Sequence, residues 1–332
     1  MNRRALLAAA AAGLAPPTLA CAQVTPRFHA AMAYSAERYG ASFLVARNGI
    51  VLAEEYAPRQ EGARWPITEG TRVFAALLAA TMVEDRLMGL DEPVALTIGD
   101  WGAHPVKVGI TIRALLNGTS GIAFRRGDRQ DLETAIQLEP TGQPGQNFAD
   151  DAASYLVLAE IARRKLINAG LQPDPARFLT DRTLLPIGCV PISWTRGPDG
   201  AARFDTGAAV SARGWAQVGE LIRRGGVFRA RQLANSSVLE EATRGSFAEA
   251  RAGMGLWLAV PGRGRTQAPF DSDLWRASSP APIDLAMAAG EGGQRLYVVR
   301  SANLVIVRQS RLTEGSGGFS DAAFLSLVWR DL

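Results

Sequence analysis

Two oppositely charged residues lie at the start of a predicted helix, where a folded chain can place reactive groups. Glu69 and Arg72 precede an apolar run from Val73 to Met88, and Asp150 precedes a second helical stretch. Two carboxylates across a cleft can act on water as general base and general acid, as they do in glycosidases. A Glu three residues before an Arg at a helix start equally predicts a local ion pair. The residues therefore support either a structural ion pair or a carboxylate pair acting on water.

An activated serine is missing from this part of the chain. No serine occurs between Ser42 and Ser120, and neither Lys107 nor Lys165 has a serine three residues before it. A Ser-x-x-Lys tetrad is therefore absent. Arg72 cannot replace the lysine as a base, because a guanidinium stays protonated at neutral pH.

Other catalytic arrangements also lack their components. The two histidines are His29 and His104, and Ser120 lies in Gly-Thr-Ser-Gly-Ile, which fails the G-x-S-x-G pattern. The sequence contains no H-E-x-x-H motif, so neither a zinc site nor a cofactor is predicted. The hydroxyls of Thr68 and Thr71 have no evident activating partner, and we interpret them as helix caps.

The helix from Val73 to Met88 is the element that must position Glu69 and Arg72. The sequence Leu-Asp-Glu-Pro-Val at 90–94 ends it, because proline cannot continue a helix. Two β-hairpins and a closing helix are also predicted: 42–49 with 50–56 around an Asn-Gly turn, then 295–299 with 304–309, and finally 320–330.

Several further motifs follow one another in a fixed order. They are T-I-R-A-L-L with T-S-G-I within 111–122, P-G-Q-N-F at 144–148, L-P-I-G at 185–188, a loop and helix at 206–226, M-G-L-W at 254–257, and A-A-G-E-G-G-Q at 288–294. Together with the L-D-E-P-V segment, they resemble the class C β-lactamase, DD-peptidase and esterase family of serine hydrolases. The resemblance covers residues 42–332.

The same resemblance implies that the family's catalytic residues are replaced. In that family a Ser-x-x-Lys tetrad opens the helix, and a tyrosine after the P-G-x-x-F turn is the second base. Alignment on Phe74 puts Glu69 on the serine and Arg72 on the lysine, while Asp150 takes the place of the tyrosine and Ala152 that of an asparagine. These three charged groups can neutralise one another.

The glycine-rich motif near the C-terminus implies the wall of a cleft. In the family, the strand at this motif lines the active site, so Ala288, Gly290, Gly292 and Gln294 are candidate ligand-binding residues. The A-x-G-x-x-G-Q form resembles the esterase and amidohydrolase branch of the family. The helix that follows Glu69 would form the floor of the cleft.

The resemblance implies one α/β domain of the α+β type with a β-lactamase/DD-peptidase-like fold. An antiparallel sheet would come from residues 23–65 and 250–332 and would be flanked by helices. A mainly helical lobe, residues 66–249, would be inserted between its two parts.

The first 22 residues predict a signal peptide. Arg3 and Arg4 precede an apolar run at 5–15, and Ala-Cys-Ala at 20–22 is a small-x-small cleavage site. Residues 18–20 depart from a lipoprotein lead-in, so cleavage after Ala22 is preferred to lipidation of Cys21. A periplasmic or secreted protein is predicted, and the apolar run is too short for a transmembrane segment.

Charge and composition exclude one class of partner. Without residues 1–22 the 36 basic residues become 34, so the formal net charge falls from +4 to 34 − 32 = +2. No basic stripe interleaved with aromatic residues occurs, and we predict no nucleic-acid partner. The sequence does not predict an oligomeric state.

Two functional hypotheses remain beside a purely structural partner protein, which would carry a large exposed apolar patch. The first is an exported pseudoenzyme whose cleft binds a small molecule or cell-wall-like ligand, either peptidoglycan-like or bearing a carboxylate or ester, with Arg72 as an anion contact. The alternative is an active hydrolase of esters, amides or β-lactams that uses Glu69 and Asp150 on a bound water.

Overall fold

The computed structural model describes residues 27–57, 62–190, 192–260, 272–276, 279, 281–312 and 314–332. The predicted signal peptide, with Cys21, lies outside these residues. The strands are β1 (Gly40–Arg47), β2 (Ile50–Tyr56), β3 (Trp65–Pro66), β4 (Ile192–Trp194), β5 (Ala208–Val210), β6 (Val227–Phe228), β7 (Arg231–Gln232), β8 (Trp257–Leu258), β9 (Leu285–Gly290), β10 (Gln294–Val299) and β11 (Leu304–Ser310). The α-helices are α1 (His29–Glu37), α2 (Arg72–Glu84), α3 (Ile112–Leu116), α4 (Leu132–Gln137), α5 (Ala152–Asn168), α6 (Pro175–Leu179), α7 (Ala212–Arg223), α8 (Ser236–Ala242) and α9 (Asp321–Arg330).

Strands from both ends of the chain form the main sheet. Its order is β2-β1-β11-β10-β9-β8, and every neighbouring pair for which a register is defined is antiparallel. The first strand lies beside the last, with Leu44 opposite Val307. The predicted antiparallel sheet and the two hairpins are confirmed.

Helices cover both faces of this sheet. Leu44 and Ala46 of β1 join one hydrophobic cluster, whereas Phe43 and Val45 join another, as expected when successive side chains of a strand point to opposite faces. Helix α7 packs on the first face, and α1 and α9 lie on the second. The centre of the sheet is therefore buried on both sides.

Helix α2 is buried along most of its length but is shorter than predicted. Every residue from Arg72 to Met82 is buried, so the helix runs through the hydrophobic core. It ends at Glu84 rather than Met88, because Arg86 adopts a left-handed φ of 59° and the amide of Leu87 donates to the carbonyl of Met82. This is a Schellman-type ending, which precedes the proline at 93.

Two other predicted helices are present with different bounds. The helical stretch predicted after Asp150 extends from Ala152 to Asn168, and the side chain of Asp151 caps it by accepting from the amide of Ala153 at 2.8 Å. The closing helix begins at Asp321, where Ser320 is the N-cap and accepts from the amide of Ala323 at 3.0 Å.

A buried charge network ties the closing helix to the sheet. Arg295 donates through Nε to Asp321 at 2.8 Å, and Tyr297 and Ser272 also donate to that carboxylate. Arg308 lies opposite Arg295 in the β10–β11 register and donates to the carbonyl of Gly293 at 2.6 Å. Burial lowers the pKa of Arg308 to about 10. Asp321 therefore supplies negative charge to a region that holds two buried guanidinium groups.

We expect Asp321→Asn to lower the free energy of unfolding by about 3 kcal/mol, because it leaves the buried Arg295 charge without its carboxylate. Urea unfolding followed by circular dichroism measures the change. The matched control is Asp181→Asn, which removes an exposed partner of Arg177 and should change stability by less than about 0.5 kcal/mol. Equal effects of the two substitutions would contradict the assignment.

Candidate active site

A single turn of 3-10 helix, Thr68–Thr71, leads into α2 and carries Glu69. Thr68 has a φ of 47°, in the left-handed region that a β-branched residue rarely adopts, and its hydroxyl donates to the carbonyl of Glu291 at 3.3 Å. The Thr71 hydroxyl accepts from the amide of Ala208 at 3.1 Å. The prediction that these threonines cap the helix is wrong, because both hydroxyls bind neighbouring loops and strands instead.

The carboxylate of Glu69 is bound by the backbone of the segment that follows β9. Its Oε2 accepts from the amide of Glu291 at 3.0 Å. Gly290 allows the approach: a Cβ there would lie 2.1 Å from the Thr68 hydroxyl and 2.3 Å from the carbonyl of Ile67. A backbone amide aimed at a nucleophile position normally serves hydrolases as an oxyanion donor. Here that amide is occupied by a side chain of the same chain.

Arg72 forms a buried ion pair with Asp150. The two side chains are 8% and 7% exposed, and Nη1 of the arginine donates to Oδ1 of the aspartate. Burial alone would lower the pKa of Arg72, but the charge of Asp150 raises it above its usual value. The guanidinium carbon also lies 5.1 Å from the centre of the Tyr155 ring. Arg72 is therefore held as a cation between a carboxylate and an aromatic ring.

The expected local ion pair between Glu69 and Arg72 is wrong. Within the described residues the ion-pair partner of Arg72 is Asp150, and Glu69 bonds to the Glu291 amide instead. The arginine is the first residue of α2, where the helix dipole disfavours a cation. A buried carboxylate from another segment offsets that cost better than a partly exposed neighbour. Glu69 still acts at longer range, since its charge contributes to the raised pKa of Arg72.

The space around these three charges is nearly filled. They line a cavity of about 10 Å³, closed by residues that include Phe148, Trp257 and Gly255. That volume corresponds to about one water molecule, whereas small-molecule sites usually measure about 300 Å³ or more. The rings of Phe148 and Trp257 meet edge to face with centres 5.8 Å apart. An ester or a β-lactam ring cannot enter this cavity as it stands.

None of the predicted wall residues lines this cavity. Ala288 is a buried residue of β9, and Gly290 and Gly292 form the turn that presents the Glu291 amide. Gln294 is fully buried, and its side-chain amide donates to the carbonyls of Ser310 and Leu312, both at 3.0 Å. The structure gives Gln294 a role in joining β10 to the end of β11.

Three contributors to the site were not identified from sequence. The Glu291 amide binds Glu69, the Tyr155 ring contacts Arg72, and the loop at Gly255 packs on the carbonyl of Arg72, where a Cβ would lie 2.4 Å away. Tyr155 itself is buried, with 5% of its surface exposed. The available signal for the first of these was the glycine at 290 directly before Glu291, because a residue without a Cβ permits a close approach of another segment.

Among the described residues, no group of three or more His, Cys, Asp or Glu side chains is arranged to hold a metal ion. Burial, followed by the charges of Glu69 and Glu314, raises the pKa of Glu291, so carboxylates gather on one side of the site.

In the part of the chain that the structure describes, no helix has both the length and the apolar character that a membrane span requires.

Comparison with solved structures identifies the same architecture elsewhere. A family VIII carboxylesterase superposes with a TM-score of 0.70 at 15% identity, over 94% of this chain and 98% of the other. A penicillin-binding protein homolog from Caulobacter crescentus gives 0.69 at 14% identity, over 92% and 98%. EstCE1, a hydrolase with promiscuous acyltransferase activity, gives 0.68 at 15% identity, over 91% and 97%. At these identities the similarity shows the fold alone.

Sequence comparison extends the similarity to a family. No curated protein matches the chain significantly. The profile of the Beta-lactamase family matches residues 24–327, which is nearly the whole chain and includes the segments around Glu69 and Asp150. The chain belongs to the Beta-lactamase family.

Proposed function

We propose that this chain is a catalytically degenerate member of its family that acts by binding rather than by acyl transfer. The observation that carries the proposal is the buried Arg72–Asp150 ion pair at the start of α2. Acyl transfer through serine needs a hydroxyl with a proton acceptor beside it. At this helix start a carboxylate occupies the first position, and a guanidinium that cannot accept a proton occupies the second.

The ligand that best fits this site carries a carboxylate or an ester, and a peptidoglycan-like fragment is one such ligand. Within the described residues the Nε of Arg72 has no hydrogen-bond partner, and an incoming carboxylate would accept a charge-assisted hydrogen bond from it. Phe148 and Trp257 must also separate, because they close the cavity. The proposal includes export to the periplasm or medium, on the pattern of residues 1–22.

The alternative function is a hydrolase in which Glu69 activates a water and Asp150 acts as the acid. The closeness of both carboxylates to a cavity of about one water supports it. The hydrogen bonding of the two groups does not: Asp150 accepts from Arg72, and Glu69 accepts from the Glu291 amide. A general acid must donate a proton, and an ion-paired carboxylate has none to give. We therefore prefer the binding function.

We expect no turnover of chromogenic esters, amides or β-lactams by the wild-type chain, because no group at the site can form an acyl intermediate. Spectrophotometric assays compare it with Glu69→Gln and with Glu37→Gln, an exposed carboxylate elsewhere. Turnover that Glu69→Gln abolishes and Glu37→Gln retains would establish the hydrolase. A carboxylate ligand that raises the melting temperature without turnover would support the binding function.

A serine-directed acylating probe should leave the mass of the protein unchanged. Intact-protein mass spectrometry after incubation with a fluorophosphonate, and separately with a penicillin, measures the result. A family member with an intact Ser-x-x-Lys tetrad, treated in the same way, shows that the probes are active. A stoichiometric adduct on any serine of this chain would contradict catalytic degeneracy.

Breaking the buried pair from one side should cost more than removing both charges. We expect Arg72→Met or Asp150→Leu alone to lower the free energy of unfolding by about 3 kcal/mol, because each leaves one buried charge unpaired. The loss of unfolding free energy in the double variant should be smaller than the sum of the two single losses, by about 1 kcal/mol or more. Urea unfolding completes the cycle. The exposed pair Arg244 and Glu240 is the matched control, for which additive effects are expected. Additive losses at Arg72 and Asp150 would show that the pair is not coupled.

A further inference from the structure

A second cavity lies in the helical part of the chain, and its lining shares no residue with that of the Glu69 cavity. Its volume is about 400 Å³, within the range of about 300–1,000 Å³ that is usual for small-molecule sites. We call it the helical-lobe cavity. It is enclosed by one face of α5, the start of α4, the start of α6 and the loop 196–204.

Apolar side chains form one part of the helical-lobe cavity. Leu156 and Ala159 come from α5, and Leu132 and Phe204 come from α4 and from the loop. On α5 the lining positions 156, 159, 160 and 163 fall on a single helix face. Phe204 is held in place by Trp194, whose ring centre lies 4.7 Å away. The cavity therefore has a preformed apolar wall that can receive a hydrocarbon side group.

Two arginines at the rim of the cavity have N–H groups from which no described protein group accepts a hydrogen bond. Arg163 binds Glu160 through Nε at 2.6 Å and Nη2 at 2.8 Å, and in the described part of the chain its Nη1 has no hydrogen-bond partner. Arg196 donates through Nη1 to the carbonyl of Gly200 and through Nη2 to Asp174, both at 2.7 Å, and no group among the described residues accepts from its Nε. These contacts fix the two guanidinium groups and still leave donors for a ligand.

One carboxylate oxygen at the same rim also has no hydrogen-bond donor among the described residues. Asp199 accepts from the amide of Ala201 through Oδ1 at 3.0 Å, and no described group donates to its Oδ2. The hydrogen bond with Glu160, and further the charge of Asp199, raise the pKa of Arg163 above its usual value. Asp199 and Arg163 line the same cavity, so one small molecule can contact both.

The charge balance of the lining selects among ligands. Acidic and basic side chains are nearly equal in number, the former being Asp131, Glu160, Asp174 and Asp199 and the latter Arg163, Arg196 and Arg203. A ligand with only one sign of charge would meet a side chain of the same sign on some side of the cavity, and this repulsion costs binding free energy. A molecule with one positive and one negative end avoids that repulsion.

We propose that the helical-lobe cavity binds a small zwitterion with an apolar side group, of the class of amino acids and dipeptides. Its carboxylate accepts from Arg163 and Arg196, its ammonium group donates to Asp199, and its side group packs against Leu156 and Phe204. This site does not use Glu69, Arg72 or Asp150. The inference therefore goes beyond the proposed function and does not depend on it.

Isothermal titration of the full-length chain with leucyl-leucine tests the proposal. We expect saturable binding at a ratio of one ligand per chain, and weakening of about tenfold or more when either end of the dipeptide is blocked by N-acetylation or C-amidation. Arg163→Gln and Asp199→Asn should each weaken binding by about tenfold as well. The Asn variant keeps the Oδ1 acceptor for the Ala201 amide, so the loop should retain its conformation.

The matched controls are Arg177→Gln and Asp181→Asn, an exposed ion pair of which neither residue lines the cavity. Both should bind leucyl-leucine like the wild type. Thermal unfolding of every variant checks that the fold is retained. No binding up to about 10 mM would overturn the proposal. Binding that survives blocking of both ends, or that Arg163→Gln and Asp199→Asn leave unchanged, would also overturn it.

Discussion

A guanidinium buried at the positive end of a buried helix is the constraint on which the candidate site depends. Arg72 begins α2, where both the loss of water and the helix dipole oppose a cation. The carboxylate of Asp150 offsets both costs, and the segment before α5 must therefore meet the start of α2. The Tyr155 ring and the backbone at Gly255 pack around the same pair. The start of α2, the segment before α5 and the loop at Gly255 are in this way packed around one ion pair.

The architecture could be predicted because its signals are distributed along the chain. The Asn-Gly turn at 48–49 and the apolar, β-branched runs of the last two strands depend on local conformation. The order of the family motifs added the topology, in which strands from both ends of the chain meet. Where a local cue was atypical, the prediction failed: α2 stops at a left-handed Arg86, a position usually held by glycine.

The candidate site was predictable in composition but not in pairing. Aligned positions identified Glu69, Arg72 and Asp150 as the groups that replace the catalytic ones. Their partners depend on distances across the fold. Glu69 bonds to a backbone amide 222 positions away in the chain, and no residue type reports that contact. Burial of Gln294 likewise follows from the register of β10 and β11 rather than from its polarity. Helix-local rules favoured the wrong partner for Arg72, because they omit the cost of burying it.

The placement of β1 between β2 and β11 has a consequence for the way the chain folds. The amino-terminal hairpin can form early from local contacts, but the inner edge of β1 has no neighbour until Leu304–Ser310 has been synthesised. Contacts of such large sequence separation slow folding, because the intervening chain must be ordered first. An unpaired strand edge is also a template for pairing with other chains. The nascent protein should therefore be most prone to aggregation before its final strand is made, and most dependent on chaperones at that stage.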